Sequence, residues 1–385
     1  MEKVTRRSLL GSASAVAAAA LAAPRGPLRA SPVPAKPRRP VDFQVDGYPF
    51  TPAEYAEVLR VAAERGVVPD EYSRGGEVEA LEARFAGLLG KETAVFMPSG
   101  TLANQLAVRR LCGAKRRVLV QEQSHLYNDC GDCASELSQL TLVPLAPGKA
   151  TFTWEEAAGA LAAAASSRVA VEIGAISIES PVRRRHGEVF EFGEMQRVCG
   201  EARRRGIALH LDGARLFVAS AYSGRAPAEY AALFDTVYVS LWKCFSSGGG
   251  AMLAGPKALL GDLYQARRMF GGALWNAWPY AAVAGRQSEG YLERLTAAVA
   301  VSEKLIALLS AHGRFEIERV PHGTSLFRVR PKTSNAPLWR ERLAARGIAV
   351  GPPDEGAFWL KVNETLANVV PERLTEELVT ALPPV

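Results

Sequence analysis

Between residues 94 and 254, short apolar runs alternate with stretches of helical periodicity, and this constrains the fold more than any other feature of the chain. Ala94 to Met97, Val118 to Val120, Val169 to Ile178, Ile207 to Leu211, Val237 to Leu241 and Ala251 to Ala254 are predicted strands. Short apolar strands separated by helices belong in an α/β fold, a largely parallel sheet covered by helices. Ahead of them, Thr51-Pro52-Ala53-Glu54 reads as a capping box with proline at the first helical position; Tyr55, Val58, Leu59 and Ala62 follow at helical spacing up to Gly66. A second helix carries Val78, Leu81, Phe85 and Leu88 and stops at Gly90. Beyond the sheet, a long helical stretch from about Tyr280 to Leu309 leads to a smaller α+β segment. Its strands are predicted near Leu326 to Val329 and Phe358 to Val362, and its helices near Leu338 to Ala345 and Glu372 to Leu382. At 385 residues the chain is long enough for two domains, expected at 41–290 and 291–385.

The first 40 residues have another character. Thr5-Arg6-Arg7-Ser8-Leu9-Leu10 is followed by an alanine-rich apolar run to Ala23, a basic segment before an apolar one. The run falls short of the roughly 20 apolar residues of a membrane span, so no stable membrane anchor is expected. The paired arginines resemble a bacterial twin-arginine signal, which implies the twin-arginine export machinery as a partner and a periplasmic location. A disordered basic tail is the alternative. Six prolines between Pro24 and Pro40 make an extended linker. The same 40 residues hold eight Lys or Arg against one acid, Glu2. Without them the formal charge of +6 vanishes, because 38 basic residues then face 39 acidic ones. Nucleic acid as a partner loses its compositional support.

In an open parallel sheet, ligands gather at the carboxyl ends of the strands, so the residues just beyond each predicted strand are the first candidates for a site. After Met97 comes Pro98-Ser99-Gly100-Thr101, opening a helix; hydroxyls and free N–H groups there can hold a phosphate, although Ser99 serves equally as an ordinary N-cap. After Val120 comes Ser124-His125, where an imidazole could stack on a planar ring or be merely structural. Leu211 is followed by Asp212-Gly213-Ala214-Arg215, and Leu241 by Trp242-Lys243. An ammonium at the end of an apolar strand is costly unless paired or neutralised, and a neutral lysine attacks aldehydes. Together these parts suit pyridoxal 5'-phosphate. That cofactor needs a lysine to bind it covalently, a carboxylate on its ring nitrogen, a phosphate cup and a stacking group. Lys243, Asp212, Ser99 to Thr101 and His125 supply them in that order.

Those residues lie in motifs that resemble the threonine aldolase and aromatic amino acid β-eliminating lyase family, of the aspartate aminotransferase fold (fold type I). The likeness runs from about Leu81 to Gly272 and rests on Phe96-Met97-Pro98-Ser99-Gly100-Thr101-Leu102-Ala103-Asn104, Ser124-His125, Ile178-Glu179, Ile207 to Phe217, Ser240-Leu241-Trp242-Lys243 and Arg267 to Gly272. It implies that Lys243 holds the cofactor, that His125 lies over its ring and that Arg215 helps hold a substrate carboxylate. It also implies a homodimer or homotetramer and an amino acid or amine as substrate. The reaction it suggests is retro-aldol cleavage of a β-hydroxy amino acid to glycine and an aldehyde. β-Elimination, racemisation, transamination and a catalytically weak cofactor-binding protein remain open.

Departures from the family fall on the substrate side. The Arg-Ser-Asp-Thr segment expected near the start corresponds to Asp46-Gly47-Tyr48-Pro49-Phe50-Thr51, and Pro181 and Val182 stand where a histidine is expected. Trp275 and Trp359 take the places of two arginines. Losing half of a carboxylate clamp removes charged hydrogen bonds worth about 1.5–3 kcal/mol each. Arg183, Arg184 and Arg185 could replace the charge or form a solvated surface. Arg267 and Arg268 could reach a phosphate in a neighbouring subunit or form a surface pair. Cys130-Gly131-Asp132-Cys133 has half-site spacing without a second pair, so zinc is not expected; the thiols are ordinary small residues or a disulfide.

Overall fold

A computed structural model describes residues 41–383. The twin-arginine segment and proline-rich linker lie outside the described residues. Twelve strands are described: β1 (Val41–Asp42), β2 (Thr93–Met97), β3 (Arg117–Gln121), β4 (Thr141–Leu145), β5 (Ile173–Glu179), β6 (Ala208–Asp212), β7 (Thr236–Ser240), β8 (Ala251–Gly255), β9 (Phe315–Arg319), β10 (Leu326–Pro331), β11 (Ile348–Ala349) and β12 (Phe358–Lys361). Seven form one sheet in the order β2-β8-β7-β6-β5-β3-β4. All its pairs are parallel except those of β8, which runs antiparallel to both β2 and β7.

Strand ends moved by a few residues, with consequences for the site. The strand predicted from Val169 begins at Ile173, because Val169 is 75% exposed and the chain before Ile173 runs on the surface. Asp212 is the last residue of β6 rather than the first beyond it. Leu241 leaves β7 for a short helix, Leu241–Cys244, so Lys243 sits on a turn past the strand end. Strands β4 and β9 were not predicted. Both have exposed positions and sit at sheet edges, which dilutes their apolar signal.

Helices Pro52–Glu64 (α1) and Gly76–Leu89 (α2) form as expected. In α1 Thr51 Oγ1 accepts from Glu54 N while Glu54 accepts from Thr51 N. Gly90, at φ +61°, ends α2 in the left-handed region. Helix α3 (Gly100–Cys112) leads out of β2, and α4 (His125–Asn128) is one turn beyond β3. The long helical stretch divides at Gly290, φ +60°, into α5 (Trp278–Ser288) and α6 (Tyr291–His312).

The two largest apolar cores among the described residues lie one against the seven-stranded sheet and the other around the antiparallel sheet β12-β10-β9; two smaller clusters also pack on the large sheet. Helix α6 serves both, burying Tyr291 and Leu295 in the first and Ala298, Leu305, Ile306 and Leu309 in the second. In the first core Phe245 meets Phe85, Phe217 and Tyr291 edge-on at centroid distances of 5.0–5.2 Å, anchoring the turn that carries Lys243.

The described chain starts in the second core. Val41 and Phe43 are buried there, and β1 pairs with β11. Phe43 N donates to Ala349 O at 2.8 Å, Lys361 N donates to Phe43 O at 2.9 Å, and Asn363 Nδ2 donates to Asp42 O and Val45 O at 2.7 and 2.8 Å. These bonds bring the next residue, Asp46, to the end of the large sheet.

Candidate active site

Asp212 is held by a buried chain of hydrogen bonds. Its Oδ2 accepts from Asn104 Nδ2 at 2.6 Å, and its Oδ1 from Ala214 N at 3.1 Å. Because a carboxylate only accepts, the Asn104 amide must donate to it and turn Oδ1 toward His210 Nε2, 2.9 Å away. His210 therefore carries its proton on Nε2 and accepts at Nδ1 from Thr236 Oγ1, also at 2.9 Å. Complete burial pushes the imidazole down to about 4 and keeps it neutral. Asn104, His210 and Thr236 were not singled out from sequence as one unit; they join through β6, β7 and α3.

Lys243 is partly buried beside this chain, and its Nζ makes no hydrogen bond or ion pair among the described residues. Burial and then the Arg215 guanidinium push the ammonium down, against the pull of Asp212, Asp46 and Glu179. The chain approaches closely behind it. A Cβ at Gly47 would stand 2.5 Å from Lys243 O and 2.6 Å from Ser246 Oγ, so glycine alone fits. Tyr48 N donates to the same Ser246 Oγ at 2.7 Å.

Arg215 has a partner that sequence reading did not give it. Its Nε and Nη2 donate to the two oxygens of Asp46, both at 2.9 Å, and Lys361 Nζ lies 3.3 Å from Asp46 Oδ1. Burial alone would raise the Asp46 carboxyl, but the two cations outweigh it and hold the group far below the usual carboxylate range.

At the head of α3, Ser99 is the N-cap and accepts from Leu102 N at 3.3 Å. The first-turn N–H groups of Gly100 and Thr101 have no intrahelical acceptor. Gly100 has to be glycine for another reason: a Cβ there would collide with the Tyr238 hydroxyl. The Cys130 thiol touches Thr101 and Cys133, and the Cys133 contact followed by burial pushes it up. All five cysteines are free and buried.

His125 opens α4 with its backbone fixed to the sheet. Its N donates to Glu179 Oε2 at 2.5 Å, while Arg183 N donates to Oε1 at 2.8 Å. Its Nδ1 lies 3.6 Å from Asp129, which also pairs with Arg183 at 2.7 Å and Arg184 at 3.1 Å. Arg185 pairs with Glu188 at 3.0 Å. The three arginines thus spend their charge on neighbouring carboxylates. His186, which follows them, stacks on Trp359 with centroids 4.3 Å apart and planes 9° from parallel. Trp275, 57% exposed, meets Tyr72 edge-on at 4.9 Å.

Arg267 does not form the surface pair that was the alternative for it. It is fully buried and donates to the carbonyls of Phe96, Tyr72 and Ser73 at 2.5–3.2 Å, an internal tie; Arg268 lies on the surface over the Tyr72 ring.

The structure thus brings Lys243, Asp212, Arg215, Asp46, Glu179 and Lys361 to one end of the sheet on the pyridoxal phosphate-dependent fold type I scaffold. The chain belongs to the beta-eliminating lyase family, whose profile matches residues 52–330. It is 28% identical over 221 residues to the low specificity L-threonine aldolase of Saccharomyces cerevisiae, covering 57% of this chain and 56% of that protein. Its matches span about three fifths of the length of the curated relatives. Among solved structures, a Listeria monocytogenes protein assigned as an L-allo-threonine aldolase superposes with a TM-score of 0.73 at 27% identity, covering 90% of this chain and 96% of that one. An Exiguobacterium protein assigned to the aromatic amino acid beta-eliminating lyase/threonine aldolase group gives a TM-score of 0.74 at 25% identity, covering 89% and 97%.

Proposed function

We propose that this chain is a pyridoxal phosphate-dependent lyase that cleaves a β-hydroxy amino acid of the threonine type to glycine and an aldehyde. The observation that carries the reading is Lys243: an amine driven toward neutrality, without a hydrogen-bond or ion-pair partner among the described residues, beside a carboxylate fixed by a hydrogen-bond chain. The residues present fit the cofactor. Lys243 would hold its aldehyde carbon, Asp212 its ring nitrogen, His125 its ring face, and Ser99, Gly100 and Thr101 its phosphate. When bound, the cofactor supplies an electron sink for charge developing at the substrate α-carbon.

The chain's own residues do the rest. Asn104 and Ala214 N hold Asp212 with both oxygens engaged, which would preset the carboxylate for the ring nitrogen of a bound cofactor. Burial and Arg215 disfavour the charged form of Lys243 and shift it toward the nucleophilic amine. Glu179 fixes the backbone of His125, and Asp129 lies 3.6 Å from its ring. Arg215 binds the substrate carboxylate.

The same proposal includes export by the twin-arginine route to the periplasm, supported by Arg6-Arg7 and the apolar run after them, and a homodimer or homotetramer, as the family resemblance implies. The test is the visible spectrum of the cofactor-loaded protein, followed by product identification with L-threonine and L-allo-threonine. Glycine and acetaldehyde are expected. Ammonia with a keto acid would redirect the reading to elimination or transamination, and an unbound cofactor would end it. Lys243→Ala should lose the visible band of covalently held cofactor, and at least ~10³-fold of the activity, as removal of a nucleophile does.

A further inference from the structure

Strand β12 turns two side chains toward the site. Phe358 and Leu360 are buried in the second core, so Trp359 and Lys361, both partly buried, share the opposite face. Trp359 meets His186, and Lys361 reaches Asp46. Asp46 therefore meets two basic side chains, Arg215 and Lys361, in a place where the Asp46 and Arg215 side chains are only 7% and 12% exposed. Donors are left over as well. Arg215 engages Asp46 through Nε and Nη2, and its Nη1 makes no hydrogen bond among the described residues. Lys361 Nζ has three donors and a single contact, to an oxygen that Arg215 already uses. Arg183 and Arg184 are committed to Asp129, and Arg328, over the Trp359 ring, lies within ion-pair distance of Glu318, Asp354 and Glu355.

We propose that Lys361 is the second carboxylate-binding residue of this site. It acts beside Arg215 on the α-carboxylate of the substrate and selects α-amino acids over amines that lack one. The proposal rests on the lyase reading above and supplies what the tryptophan at position 359 cannot. The unspent donors of Arg215 and Lys361 are the hydrogen-bond partners of the added carboxylate.

The test compares two small ligands of the cofactor-loaded protein, glycine and methylamine, which differ by the carboxylate. Their dissociation constants are read from the shift of the visible band and, independently, by titration calorimetry. In Lys361→Met, glycine should bind at least about tenfold more weakly, the loss expected for one charge-assisted hydrogen bond, while methylamine changes by less than about twofold. Lys361→Arg keeps the cation and should bind glycine within about threefold of the parent. Weakening of both ligands alike would overturn the proposal and make Lys361 a mere brace for Asp46. Unchanged glycine binding in Lys361→Met would overturn it too. A parent protein whose band neither ligand moves would sink the lyase reading itself, an outcome distinct from any difference between variants.

Discussion

The cofactor side and the substrate side of this site are built by opposite means. Around Asp212 every partner is neutral and in place: Asn104, His210 and Thr236 form one buried hydrogen-bond chain that holds a charge with dipoles. Around Arg215 charge is met by charge, with Asp46 and Lys361 brought from the distant ends of the described chain. A relay of neutral groups fixes one geometry for one ligand. A cluster of ions with unspent donors holds its shape and can still accept an anion, which suits a group that comes and goes.

Breaking the ionic side should have the largest effect. Asp46→Ala strands a nearly buried guanidinium without its partner, and removing one member of a buried pair costs about 3–5 kcal/mol. The midpoint of urea unfolding should fall accordingly. A loss under about 1 kcal/mol would mean that the cluster is hydrated and that the contrast between the two sides is false.

Acid sharpens the comparison, because the two sides respond in different windows. His210 has a folded value pushed down to about 4 against about 6.5 when free. Between those values the unfolded chain binds the extra proton, so stability is full above about pH 6.5 and falls with pH until it levels off near pH 4. The swing is on the order of 3 kcal/mol. His210→Gln should flatten that window and leave the limb below about pH 4. In that lower limb Asp46, depressed in the folded state, gives up its stabilisation as it protonates. Unfolding free energies at five or six pH values would separate the two. An unchanged slope in His210→Gln would mean that the imidazole is not the neutral link.

Much of the cofactor side was legible in the sequence. Lys243, Asp212, His125 and the Ser99 to Thr101 turn all lie within a few residues of strands whose apolar runs announce them. The direction of β8 was not legible, since periodicity carries no sense of direction. Nor was the ionic cluster. Asp46 and Arg215 stand 169 positions apart and meet only because β1 pairs with β11 and Asn363 pins the chain between them. Asp46 lay inside a segment read as a departure from the family. The available signal was the lone carboxylate of Val45-Asp46-Gly47-Tyr48, which needs a cation if it is buried.

The smallest effect belongs to the wall between the two sides. His186 lies flat on Trp359, joining the loop after β5 to β12 by an aromatic contact without a hydrogen bond. A pair of this kind is worth about 0.5–1.5 kcal/mol beyond its buried area. His186→Ala should therefore lower unfolding stability by about 1 kcal/mol and shift the fluorescence of Trp359 toward that of a more solvated indole. Cofactor retention should change by less than about twofold, because His186 donates to neither Asp212 nor Lys243. If retention collapsed in His186→Ala, the wall would belong to the cofactor side, and the division drawn between dipoles and ions would run through β12 instead of beside it.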